Sequence, residues 1–146
     1  MEVSPDGTAD MIRTAPLLAA AATALAACAS VPAPPGGALE GGEWLVERVE
    51  DRPLVDRSFI AMRFGADGRV LGRAACNGWS AGYKAEGERI AFTAGAATLR
   101  ACAPALGEQE GRFHRLLSQV TRYRFAEDGA LVLESADGRA IRARRG

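Results

Sequence analysis

The sequence predicts a mainly β domain of the α+β class: a single antiparallel, barrel-like sheet of about seven or eight short strands with one amphipathic helix. Three observations carry that prediction. Short runs of alternating apolar and polar residues fill most of the chain after residue 42, as in Ile60-Met62-Phe64 and Leu131-Leu133. Glycine-bearing turns separate them, at Asp67-Gly68, Gly87, Asp128-Gly129 and Asp137-Gly138, where glycine accepts the positive φ of tight hairpins at little cost. One stretch alone, residues 108–120, carries its apolar residues at three- and four-residue intervals.

Length and charge narrow the classes. The 146 residues leave room for one domain. Eighteen basic and eighteen acidic residues cancel, so no net field draws the chain to nucleic acid.

Residues 1–27 read as a lipoprotein signal peptide. Met11-Ile12-Arg13 supplies a positive charge, Ala15 to Ala27 an apolar run, and Leu25-Ala26-Ala27-Cys28 a small-residue box ending in cysteine. That order resembles a bacterial lipoprotein signal, whose cysteine is acylated and becomes the first mature residue. The acids Glu2, Asp6 and Asp10 do not suit a signal start, which makes Met11 the alternative initiator. Several acyl chains on Cys28 would anchor the protein stably to a membrane. Ala29, where aspartate is absent, implies by the same resemblance an outer-membrane location facing the periplasm. Residues 28–42 hold prolines and glycines and almost nothing to bury, so they are expected to form a tether.

The folded part is expected over residues 43–146. Trp44 to Val49 reads as a first strand, Asp51-Arg52-Pro53 as a turn, and Ser58 to Phe64 as a second strand. Arg69 to Ala74 returns from the Asp67-Gly68 hairpin. Cys76-Asn77-Gly78-Trp79 reads as a tight turn, followed by strands at Ala81–Lys84 and Arg89–Thr93 and an irregular run, Ala94 to Ala97. The helix is expected from Glu108 to Val120, with Phe113, Leu116, Leu117 and Val120 inward, Gln109, Glu110, Arg112, Arg115 and Gln119 outward, and acids in its first turn. Tyr123 and Phe125, then Leu131 and Leu133, then Ile141 mark a C-terminal meander. Arg139, Arg142, Arg144 and Arg145 are expected on a charged edge strand.

Three cysteines are an odd count for an exported protein. Lipid consumes Cys28, which leaves Cys76 and Cys102 for a disulfide in an oxidising compartment. Closing a loop of about 27 residues is worth roughly 3.5 kcal/mol by the chain-entropy estimate.

Catalytic readings find little support. His114 is the sole histidine and reads as a core-edge residue; a zinc site of Cys76, Cys102 and His114 would need a fourth ligand or water and competes with the disulfide. Gly78 and Gly82 lack the lysine of a phosphate loop, and Glu86 and Glu88 sit in a turn where solvation is expected. No catalytic residue, metal or cofactor is assigned. Asn77, Trp79 and Tyr83 are the candidate recognition residues, with core packing the expected role of the two aromatics in a domain short of large apolar side chains.

These residues resemble a known family. Trp44, the Phe64–Gly72 hairpin, Cys76-Asn77 with Trp79 and Tyr83, Thr98 before Cys102, and Glu110 and Phe113 in a helix are similar to the META domain, the HslJ-type family of bacterial envelope proteins. Ala75 stands where the family usually has glycine, and Arg100 where methionine is common. The resemblance implies a small barrel-like sheet crossed by one helix in a periplasmic or lipid-anchored, non-enzymatic protein linked to heat shock, antibiotic tolerance, motility or virulence. The expected function is therefore envelope stress tolerance or integrity, through binding of another envelope component by a monomer. The alternative is carriage of a small hydrophobic ligand within the barrel.

Overall fold

The computed structural model describes residues 38–146; the leader, Cys28 and most of the expected tether lie outside the described residues. Among the described residues, nine strands and one helix run in the order β1 (Glu43–Val49), β2 (Arg52–Pro53), β3 (Ile60–Phe64), β4 (Arg69–Ala74), β5 (Asn77–Glu86), β6 (Arg89–Ala97), α1 (Pro104–Leu117), β7 (Val120–Phe125), β8 (Leu131–Ser135) and β9 (Ala140–Arg145). From β3 onward consecutive strands pair antiparallel, β1 pairs with β3, and β9 pairs back onto β1 to close a barrel, with the two-residue β2 as a flap beside β1. The expected mainly β architecture with one helix is what the chain adopts.

Side-chain alternation points one face of each strand inward. Trp44 and Val46 enter the core from β1, and a bulge between Val46 and Arg48 then shifts the parity so that Val49 also turns inward. A second bulge, between Val120 and Arg122 of β7, does the same for Val120 and Tyr123. Ile60, Met62 and Phe64 meet Val70, Leu131, Leu133 and Ile141 in the same cluster. Trp44, Phe64, Phe113 and Leu117 are each at most 4% exposed, and Phe92 packs against them half-buried. The interior that a carried ligand would occupy is filled by these side chains.

Gly72 lets β3 and β4 approach closely: a Cβ there would lie 1.9 Å from the Ala61 carbonyl oxygen.

Several expectations about boundaries are corrected. The helix begins at Pro104, not Glu108; proline at the first helical position has φ already set and lacks only an N–H that would go unbonded. Its first turn consequently holds no acid, and it ends at Leu117, so Val120 opens β7. The Cys76–Trp79 stretch is not a turn. The reversal falls at Ala75 and Cys76, where Ala75 adopts φ +58°, and Asn77 already begins the ten-residue β5. Ala94 to Ala97 belong to β6. Packing starts before residue 43: Leu39 is fully buried, and its carbonyl accepts the Trp44 indole N–H at 2.8 Å.

The arginine-rich C-terminal strand is not an edge. β9 lies between β8 and β1, a pairing across nearly the whole domain that no local pattern reveals. Its arginines meet acids: Arg142 and Arg144 both bind Glu47 and Asp128, and Arg139 binds Glu50 and Asp137. Arg145 lies over the Trp44 ring at 4.2 Å and donates to the carbonyls of Ala38 and Glu40.

The barrel wall is looser at one seam. Among the described residues, β6 and β7 share a single register pair, Arg89 with Arg122. Past it, Thr93 to Ala97 continue along β5 alone, and the chain crosses to β7 through α1.

Candidate functional site

Cys76 and Cys102 form a disulfide, with Cα atoms 6.1 Å apart and a sequence separation of 26. Both sulfurs are therefore bonded to each other, and neither is available as a nucleophile or a metal ligand beside His114. Asn77 stands next to the staple at 5% exposure. Its Oδ1 accepts from the Thr98 hydroxyl at 2.9 Å and the Arg100 N–H at 2.8 Å, while its Nδ2 donates to Glu110 at 2.9 Å and faces Cys102 Sγ at 3.5 Å. Its backbone N–H donates to the other Glu110 oxygen at 3.2 Å. The Thr98 hydroxyl in turn accepts from the Gly78 N–H. The side-chain amide of Asn77 is thus spent inside the protein, tying β5, the segment before α1 and α1 itself together.

The sequence reading missed two helix residues here. Glu110, placed outward with the polar face, anchors Asn77. Gln109 is fully buried, accepting from the Val55 N–H at 2.6 Å and donating to the Ser58 hydroxyl at 3.0 Å. It clamps the loop between β2 and β3 to the helix. The available signal was spacing: the stripe of Phe113, Leu116 and Leu117, continued one turn back, lands on Gln109.

Trp79 and Tyr83 lie four residues apart on the same inward face of β5. Tyr83 is half-buried, donates its hydroxyl to the Gly65 carbonyl at 2.8 Å and meets Phe64 edge-on at 5.0 Å. Burial, then the Glu40 carboxylate beside it, push its pKa up. Trp79 packs edge-on against Phe113 at 5.3 Å and His114 at 5.6 Å. Both aromatics serve the core, as expected, and the structure does not bring Asn77, Trp79 and Tyr83 together as one exposed surface.

His114 is half-buried at the end of the helix's apolar stripe. Burial lowers its pKa, partly opposed by the charge of Glu110. With Trp79 it lines a groove of about 340 Å³ between Thr93–Ala97 of β6 and the C-terminal end of α1. The groove lies along the part of β6 that pairs with β5 alone.

A closed antiparallel barrel crossed by one helix, with a disulfide and an asparagine hub binding wall to helix, defines a class of small one-helix barrel domains. The chain belongs to the META domain family: the family's model matches residues 37–145. Two solved structures share the fold. One, an NMR structure of a protein from Burkholderia xenovorans, is 19% identical with a TM-score of 0.62, covering 92% of this chain and 99% of its own. The other, also an NMR structure, is 21% identical with a TM-score of 0.60, covering 73% of this chain and 91% of its own. No curated protein matches the sequence.

Proposed function

We propose that the protein is a non-enzymatic lipoprotein of the bacterial envelope. Its META domain is displayed on a short tether from lipid on Cys28, faces the periplasm from the outer membrane, and supports envelope integrity under stress by binding another envelope component. The observation that carries this reading is the use of the cysteines. The folded domain spends Cys76 and Cys102 on each other, a pairing that persists in an oxidising compartment, and the remaining Cys28 closes a lipobox. With both domain thiols consumed, His114 has no cysteine thiol to activate, which counts against a Cys-His nucleophile pair. The filled barrel interior favours binding at the surface over carriage inside.

The test is detergent-phase partitioning and membrane fractionation of the full chain and of Cys28→Ser in a bacterial host. The native chain should enter the detergent phase and the outer-membrane fraction, and Cys28→Ser should leave both. Equal behaviour of the two, or recovery of the native chain from the cytoplasm with reduced thiols, would overturn the reading.

A further inference from the structure

The part of β6 from Thr93 to Ala97 has β5 on one side and no strand on the other, since among the described residues β7 pairs with β6 only at Arg89. All five residues are exposed. The direction of their backbone groups follows from the ladder. The Thr98 N–H donates to the Gly78 carbonyl, and Ser80 faces Ala96, so alternation turns the N–H and C=O of Ala97 away from β5. One step back, a bulge sets both Ala94 and Gly95 opposite Ala81, which leaves one of the two without a place in the β5 ladder. Open backbone groups of this kind are a template for a further strand.

Other open strand sides in the fold are guarded. β2, which pairs only with β1, consists of Arg52 and Pro53, and β7 brings Arg122 and Arg124 to the far side of the seam. Charge and proline are ordinary means of refusing another strand. From Ala91 to Leu99 the chain carries neither.

The groove beside this edge sets the chemistry of what fits. Phe92 and Leu117 give it apolar wall, Ser80, Thr93 and Ser118 give it hydroxyls, and no lysine, arginine, aspartate or glutamate lines it among the described residues. His114 in its lining has its pKa lowered by burial and carries no charge at neutral pH. A charged side chain entering here would lose hydration with no counter-charge to replace it. The C-terminal end of α1 faces β6 across the groove, and the bulge cuts the regular edge to a few residues. Both leave room for one short strand and not for the edge of a second barrel.

We propose that an extended, uncharged peptide segment of small residues, supplied by a partner protein, adds to β6 along Thr93–Ala97. It bonds the outward N–H and C=O of Ala97 and lies in the groove against the last turn of α1. Such a segment would belong to the envelope component of the binding role proposed above, and the site rests on that reading for its cellular setting alone. Fractionation of Cys28→Ser and titration of the groove therefore fail separately.

The test titrates acetyl-Ser-Ala-Val-Ala-Ser-amide into the 15N-labelled, disulfide-bonded full chain. The amides of Thr93–Ala97 and of His114–Ser118 should shift and saturate, and the Ala97 amide should exchange with solvent at least about tenfold more slowly. The same peptide N-methylated at its three central residues keeps the side chains and loses the donors, and should bind at least about tenfold more weakly. So should a peptide with Lys-Glu-Lys at those three places. Ala97→Pro removes an outward donor only, which a strand edge tolerates, and should lose binding to the same degree; the two altered peptides decide the question if this variant does not fold. No shift at millimolar peptide would overturn the proposal, as would equal binding of either altered peptide or unchanged binding by a folded Ala97→Pro. Concentration-dependent shifts of Thr93–Ala97 without peptide, with a doubled mass in sedimentation, would overturn it in favour of a second copy on this edge.

Discussion

Asn77 and Glu110 are joined twice, by the asparagine's side-chain amide at 2.9 Å and its backbone N–H at 3.2 Å, each to a different oxygen of the same carboxylate. A strand and a helix 33 residues apart in sequence are thereby fixed at the point where the disulfide also crosses. Asn77→Ala leaves the Thr98 hydroxyl and the Arg100 N–H without their acceptor, takes one of its two hydrogen bonds from Glu110, and should cost about 2–4 kcal/mol. Asn77→Asp keeps the shape and sets a second carboxylate against Glu110. It should also be destabilised at neutral pH and recover partly on acidification, as one of the two carboxyls takes up a proton. Urea unfolding of both variants at neutral pH and at mildly acid pH reads the difference, and equal pH dependence in Asn77→Ala and Asn77→Asp would contradict it.

The disulfide closes a long loop and so constrains the unfolded chain. Its removal in Cys76→Ser/Cys102→Ser should lower stability by roughly 3.5 kcal/mol on the chain-entropy estimate, with little change in the folded spectrum because Asn77 still holds the same elements. Denaturant midpoints with and without reductant, compared with the double variant, check this. Reductant should have no effect on the variant.

Ala75 occupies φ +58° at the reversal between β4 and β5. A left-handed conformation costs an L-residue roughly 1–2 kcal/mol, of which glycine's greater freedom in the unfolded chain takes back part. Ala75→Gly should therefore stabilise the domain by about 0.5–1 kcal/mol. Its thermal midpoint should rise; a fall would mean that the alanine methyl makes contacts outweighing the backbone strain.

Burial lowers the pKa of His114, so in the window between its folded and unfolded values the unfolded chain binds the extra proton. Its contribution is fully present above the unfolded value, about 6.5, and is lost as pH falls toward the folded one. Stability should decline below about pH 6.5 in the native protein, and His114→Phe should flatten that limb. Asp128 and Asp137, whose pKa values are lowered by hydrogen bonds to Ala130 and Ser135, lose their contribution only at more acid pH and leave the histidine window clear.

Alternation and the Asp-Gly turns were enough to place most strands, because both arise from local backbone geometry. Three features escaped that logic for physical reasons. The bulges in β1 and β7 each add one residue and flip the parity of the positions after it, with no composition to mark them. The reversal at Ala75 is carried by a residue that disfavours the conformation it adopts, while Gly78 nearby suggested a turn in the wrong place. Gln109 reads as part of the polar face because its chemistry outweighs its spacing, yet its amide bonds Val55 and Ser58 in the interior. In the site, the Cys76–Cys102 pairing was legible from cysteine arithmetic. The acidic partners of the β9 arginines were not, because they come from segments brought close only by barrel closure.

Display in the envelope stands or falls with the oxidation state of the folded domain in its native compartment. The direct measurement is mass spectrometry of the protein recovered from its own cells after denaturing alkylation without reductant. A periplasm-facing lipoprotein should yield Cys76 and Cys102 unalkylated and linked in one peptide pair, with Cys28 carrying lipid. Recovery of Cys76 and Cys102 both alkylated, on a chain bearing no lipid at Cys28, would contradict that placement.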